Sequence, residues 1–153
     1  MKKLFILLAL CGVLFAEEGV KKVVFDLTSG KLEAIEKKVL SGIAFNKTHY
    51  ENKLEKLDVA VVIHGDAYKF FINDLAHSPY KNDAALNKAH DQLGKRLSAM
   101  AKNYDVEFIM CESGMKSQKI DKNTLYDFVQ LTPSSTIGLI DKQNDQFAYV
   151  PIH

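Results

Sequence analysis

Three side chains able to do covalent or proton chemistry stand at the ends of apolar runs: Asp26 in "KVVFDL", His64 in "VAVVIHG" and Cys111 in "VEFIMCESGM". A thiolate is the reactive form of cysteine, and backbone N–H groups at a helix start stabilise negative charge. The stretch after Cys111, "ESGMKSQKID", reads as a short helix, so the N–H groups of Ser113, Gly114 and Met115 are expected to face the sulfur. Lys116 and Lys119 add positive charge nearby and Glu112 opposes it. The competing reading of Cys111 is plain, because free cysteine is often buried and packs as a small hydrophobe. His64, followed by Gly65, is either a ligand-binding or proton-handling group or a strand-end histidine satisfied locally. Asp26 reads most simply as a turn or cap residue. The expected site therefore has Cys111 as its reactive group and Asp26, His64, Gly65, Gly114 and Lys116 as its binding residues.

Other chemistries lack their usual supports. His49, His77, His90 and His153 show no ligand spacing, and neither H-x-x-x-H nor C-x-x-C occurs, so no metal site is expected. The sequence contains no GxSxG, P-loop or GxGxxG pattern and no haem-attachment C-x-x-C-H. No cofactor is expected.

The elements that would position these residues follow from periodicity. Residues 21–30 read as a mostly apolar strand closed by Ser29-Gly30. Leu32, Ile35, Val39, Leu40 and Ile43 then recur at helical spacing. Val59 to Ile63 is a continuous apolar run, as expected of a strand buried on both faces of a parallel sheet. "DAYKFFINDL" predicts a short helix, with Phe70-Phe71 in the core and Tyr68 and Tyr80 as pocket or interface residues. Residues 83–103 predict a longer one, with Ala85, Leu86, Ala89, Leu93, Leu97 and Met100 on one stripe. A third strand ends at Cys111 and a fourth runs around Phe128–Leu131. Pro133-Ser134-Ser135 caps a helix expected to turn Ile137 and Ile140 inward, and "FAYVPI" is a last strand whose Pro151 marks an edge or end. Strands alternating with helices predict an α/β fold, a three-layer α/β/α sandwich around a mainly parallel five-stranded sheet. Ligand groups in such sheets gather beyond the carboxyl ends of the strands, where Asp26, His64 and Cys111 fall.

The amino terminus is separate. "MKK" is a basic n-region and "LFILLALCGVLFA" an apolar h-region, too short for a comfortable membrane span. Residues 1–16 are read as a signal peptide cleaved near Ala16, with an uncleaved anchor as the rival; Leu14 at −3 is larger than the ideal site prefers. One domain over residues 20–153 follows, expected in the periplasm. Cleavage removes Lys2, Lys3 and Cys11, leaving 18 basic against 19 acidic residues, a net charge of −1, and Cys111 as the only thiol. That balance argues against bulk nucleic-acid or anionic-membrane binding.

These stretches in order resemble the DsrE/DsrF-like family, in particular its small exported members. "KVVFDL" resembles its opening strand, "DVAVVIHGDAYKFFI" its second strand with the following His-Gly, and "VEFIMCESGMKSQKID" its strand, cysteine and short helix. "VQLTPSSTIGLIDKQNDQFAYVPI" resembles its closing segment. The resemblance implies a DsrE/DsrF/YchN-type sandwich, homo-oligomers (trimers or hexamers) and a role in sulfur metabolism. It also implies a persulfide carried on the cysteine matching Cys111, with sulfane sulfur passed to or from a partner protein. Where members often carry Arg-Gly seven and eight residues after that cysteine, this chain has Gln118 and Lys119. Two rival functions remain. One is a small-ligand-binding or assembly subunit with a structural cysteine, and the other a redox protein forming an intermolecular disulfide through its lone thiol.

Overall fold

The computed structural model describes residues 20–153; the expected export signal over residues 1–16 lies outside them. Five strands, β1 (Lys21–Leu27), β2 (Leu57–Ile63), β3 (Val106–Cys111), β4 (Val129–Thr132) and β5 (Ala148–Ile152), form one sheet in the order β4-β3-β2-β1-β5. All four pairings are parallel, so the five carboxyl ends share one edge. The central strands are apolar on both faces because helices cover both, and Val59 to Ile63 are all buried. β5 is an edge strand, which is where Pro151 is tolerated: its missing N–H interrupts no ladder on the open side.

One face carries most of the helical mass. α1 (Leu32–Ala34) runs through a π-helical segment (Ile35–Ser41) into α2 (Gly42–Glu51). The wider turn brings both Val39 and Leu40 to the buried side, along with Ile35 and Ile43. "GDAYKFF" is a 3-10 segment (Gly65–Phe71) that buries Ala67, Tyr68, Phe70 and Phe71. α3 (Ala84–Asn103) is capped by Asp83, whose side chain accepts from the Leu86 N–H, and it packs Leu86, Leu93, Leu97 and Met100 inward. Ala85 is exposed, so the expected stripe is narrower at its start. α4 (Glu112–Ser117) follows Cys111 directly.

The other face is covered by α5 (Ser135–Asn144). Here an expectation fails. Ile137 and Ile140 point outward, 43% and 49% exposed, while Gly138 and Leu139 face the sheet, where Val24, Ala60, Val62, Ile109 and Phe147 form a second core cluster. Two local contacts set that rotation. Gly138 sits where a side chain would meet Thr132 Cγ2 at 3.1 Å, and Lys142 Nζ binds Glu107 Oε2 at 2.7 Å.

Candidate functional site: a buried thiol beside a carboxylate–imidazole pair

The register of the sheet brings the candidate residues to one edge. Side chains alternate along a strand. Val24 and Val62 belong to the cluster under α5, so Asp26 and His64, each two residues further on, fall on that same face, while Cys111, at the very end of β3, packs with Tyr68, Met110 and Met115 in the larger core. Ile63 pairs with Met110, which sets His64 and Cys111 side by side just beyond the last paired position.

Cys111 is the last residue of β3 and precedes α4 in extended conformation. It is free and 5% exposed. Its Sγ lies 3.2 Å from Ser113 Oγ. Burial pushes the thiol up, but Ser113, together with the nearby Tyr68 hydroxyl and the N–H groups of Gly114 and Ser135, outweighs it, and the pKa is lowered to about 7. The Ser135 donor comes from the start of α5, which is tied to α4 by the Ser113 N–H to Pro133 carbonyl bond. Tyr68 also donates its hydroxyl to the Cys111 carbonyl at 3.0 Å, and burial raises its own pKa far above the usual phenol range. Gly114 makes that approach possible, because a Cβ there would stand 2.0 Å from the Tyr68 hydroxyl.

Asp26 is no turn residue. It is buried within β1, with one carboxylate oxygen bonded to His64 Nε2 at 2.6 Å and the other accepting from the Tyr149 hydroxyl at 2.7 Å. That acceptor raises the Tyr149 pKa. Gly65 takes φ +63°, turning the chain sharply after His64, and a side chain there would press on the Thr28 carbonyl at 3.2 Å. Its own carbonyl accepts from Gln118 Nε2 at 2.9 Å, and Gln118 Oε1 accepts from the Tyr80 hydroxyl. Gln118, the position at which this chain departs from the Arg-Gly of the resembled family, thus braces the end of α4 against the β2 loop.

Lys116 stands apart. Its side chain is 77% exposed and its ammonium lies 4.0 Å from Glu112, so it pairs with the acidic neighbour rather than with the sulfur. A cleft at this end, about 720 Å³, is lined by residues including Thr28, Lys31, Gly65, Asp66, Lys69 and His153, and neither Cys111 nor His64 lines it. Among the described residues no group of three or more His, Cys, Asp and Glu side chains is arranged to hold a metal ion. Sequence reasoning missed Tyr149 and Ser135 as partners of the site. An aspartate inside an apolar strand was the available sign that Asp26 is buried and must be paired.

An all-parallel five-stranded sheet between two helical layers, with polar groups gathered at its carboxyl edge, defines the class: an α/β/α sandwich. The DsrE/DsrF-like family model matches residues 22–152, and the chain belongs to that family, which is related to sulfur relay. It is similar to an uncharacterized protein of Aquifex aeolicus (strain VF5), 31% identical over 158 aligned positions that take in 99% of this chain and 64% of the relative. The chain thus spans less than two thirds of that relative's length. Among solved structures it resembles MTH1491, a protein of unknown function from Methanobacterium thermoautotrophicum, with a TM-score of 0.53 and 21% identity, covering 86% of this chain and 98% of that one. That likeness bears on the fold alone.

Proposed function

We propose that this is an exported sulfur carrier of the DsrE/DsrF-like family, which accepts sulfane sulfur on Cys111 as a persulfide and passes it to another protein. The observation that carries the reading is the polar setting of the buried sulfur, with Ser113 Oγ at 3.2 Å. A structural cysteine in apolar surroundings has a raised pKa and stays a thiol. Here Ser113, the Tyr68 hydroxyl and two backbone N–H groups lower it to about 7, which favours the reactive thiolate. Burial of the sulfur suits a one-atom cargo better than a large substrate, and it disfavours an intermolecular disulfide between exposed thiols. The chemistry requires no metal or nucleotide. Export rests on the n-region and h-region of residues 1–16. The test is mass spectrometry after exposure to polysulfide or thiosulfate. A gain of one sulfur in the native protein and none in Cys111→Ser is expected; a gain that persists in Cys111→Ser refutes the reading.

A second reading, a ligand-binding or assembly subunit with a structural cysteine, draws on the same 5% exposure. Slow alkylation of native Cys111 by iodoacetamide at pH 8, with no persulfide formed, would favour it.

A further inference from the structure

Asp26 in β1, Tyr149 in β5 and His64 just after β2 meet beside the end of β3, where Cys111 stands. A buried carboxylate normally needs its lone pairs filled. Both oxygens of Asp26 are filled, by Tyr149 at 2.7 Å and by the imidazole at 2.6 Å. The ring is therefore held by Nε2, as in an acid–base pair oriented by a third group. Among the described residues nothing hydrogen-bonds His64 Nδ1, and the side chain keeps 27% of its surface exposed. It can exchange protons with solvent.

We propose that His64 is the acid that protonates the thiol departing when Cys111 takes up sulfur, and that Asp26 and Tyr149 are its positioning residues. This rests on the carrier reading above. The donor class is a persulfide, R–S–SH. The Cys111 thiolate attacks the outer sulfur; a Cys111 S–S bond forms and the donor S–S bond breaks. The electron pair leaves on R–S⁻, which takes the proton from the His64 imidazolium. The products are Cys111–S–SH, R–SH and neutral His64, with no net oxidation or reduction. The spacing suits this role. Attacking, transferred and departing sulfur lie in line across two S–S bonds, roughly 4 Å. Neighbouring strands stand about 4.8 Å apart, and the Ile63–Met110 pairing sets His64, just after β2, next to Cys111 at the end of β3. His64 bonds Asp26 rather than the Cys111 sulfur. The titratable groups around the imidazole are Asp26 on β1, Tyr149 on β5 through Asp26, and Cys111 on β3. At this end α5 contributes Ser134 and Ser135, and Asp66 and His153 line the adjoining cleft.

An acid that serves the leaving group acts in proportion to that group's basicity. The test compares cysteine persulfide, which releases a basic alkyl thiolate, with thiosulfate, which releases the weakly basic sulfite. His64→Ala is expected to slow loading of Cys111 from cysteine persulfide about 100-fold and from thiosulfate by no more than about two-fold. Asp26→Asn and Tyr149→Phe should show the same selectivity, with about a five-fold loss from cysteine persulfide for the removal of the one Tyr149 hydrogen bond. Tyr149→Phe keeps the ring and guards against misfolding of the other two. Equal slowing with both donors, or none with either, in proteins that still load Cys111 overturns the acid role and leaves the carrier reading standing. If the native protein loads sulfur from neither donor, the carrier reading fails and this inference falls with it.

Discussion

Whether the Cys111 sulfur acts as a nucleophile turns on a contest between burial, which favours the neutral thiol, and hydrogen-bond donors, which favour the thiolate. The donors win, holding the pKa at about 7. The rate of alkylation by iodoacetamide should therefore rise with pH through a midpoint near 7, because the thiolate is the reacting form. Ser113→Ala, which removes the Oγ contact at 3.2 Å, should move that midpoint upward; an unchanged midpoint would show that the serine does not hold the charge. Gly114 is a packing requirement of the same site. Gly114→Ala drives a methyl into the Tyr68 hydroxyl and should cost about 1–3 kcal/mol, read as a lower urea midpoint. Cys111 and His64 were legible in the sequence because each ends an apolar run. Tyr149 and Ser135 were not, since their partners lie on strands and loops distant in sequence and only the sheet order brings them together. Glu112 looked like a threat to the thiolate from its position alone, but its side chain lies 4.0 Å from the Lys116 ammonium in an exposed pair.

Among the elements, the helices on the two faces were legible to different degrees. The α1–α2 stretch and α3 bury a continuous apolar stripe, so spacing alone predicts which side faces the sheet. α5 has ten residues and apolar side chains on two sides, and its orientation is decided by contacts that spacing does not record: Gly138 against Thr132, and Lys142 against Glu107. α3 also shows how a cap links pH to stability. The Asp83 carboxylate accepts from the Leu86 N–H and binds Lys69 at 3.0 Å, and these contacts hold its pKa below the usual value. A depressed carboxyl pKa stabilises the fold fully above the unfolded value of about 3.9, and the contribution is lost as pH falls through the folded value. Asp83→Ala should cost about 1 kcal/mol at pH 7. That difference should shrink below about pH 4, where the carboxyl of the unfolded chain takes up protons ahead of the folded one; chemical denaturation at both pH values measures it.

For the whole molecule, the two faces of the sheet are covered unequally, and the imbalance bears on assembly. One side is packed under α1 to α3 with the 3-10 segment between them; the other has α5 alone, with Ile137 and Ile140 on its outer surface and Tyr149 44% exposed at the β5 edge. Two isoleucines one helical turn apart on an outer surface suit contact with a second copy of this chain, the homo-oligomer that the family resemblance implies. Such a contact would lie on the face that carries Asp26 and His64, and it would cover Tyr149, withdrawing the carboxylate that aims His64 further from water. The double substitution Ile137→Asp with Ile140→Asp places charge on that surface and leaves Gly138 and Leu139, the packing side of α5, untouched. In sedimentation velocity the native protein should run as an oligomer and the double variant as a monomer with an unchanged circular dichroism spectrum. A native protein that sediments as a monomer at micromolar concentration, or a variant that stays assembled, would remove α5 as the interface. The site would then have to work with its Tyr149 side open to water.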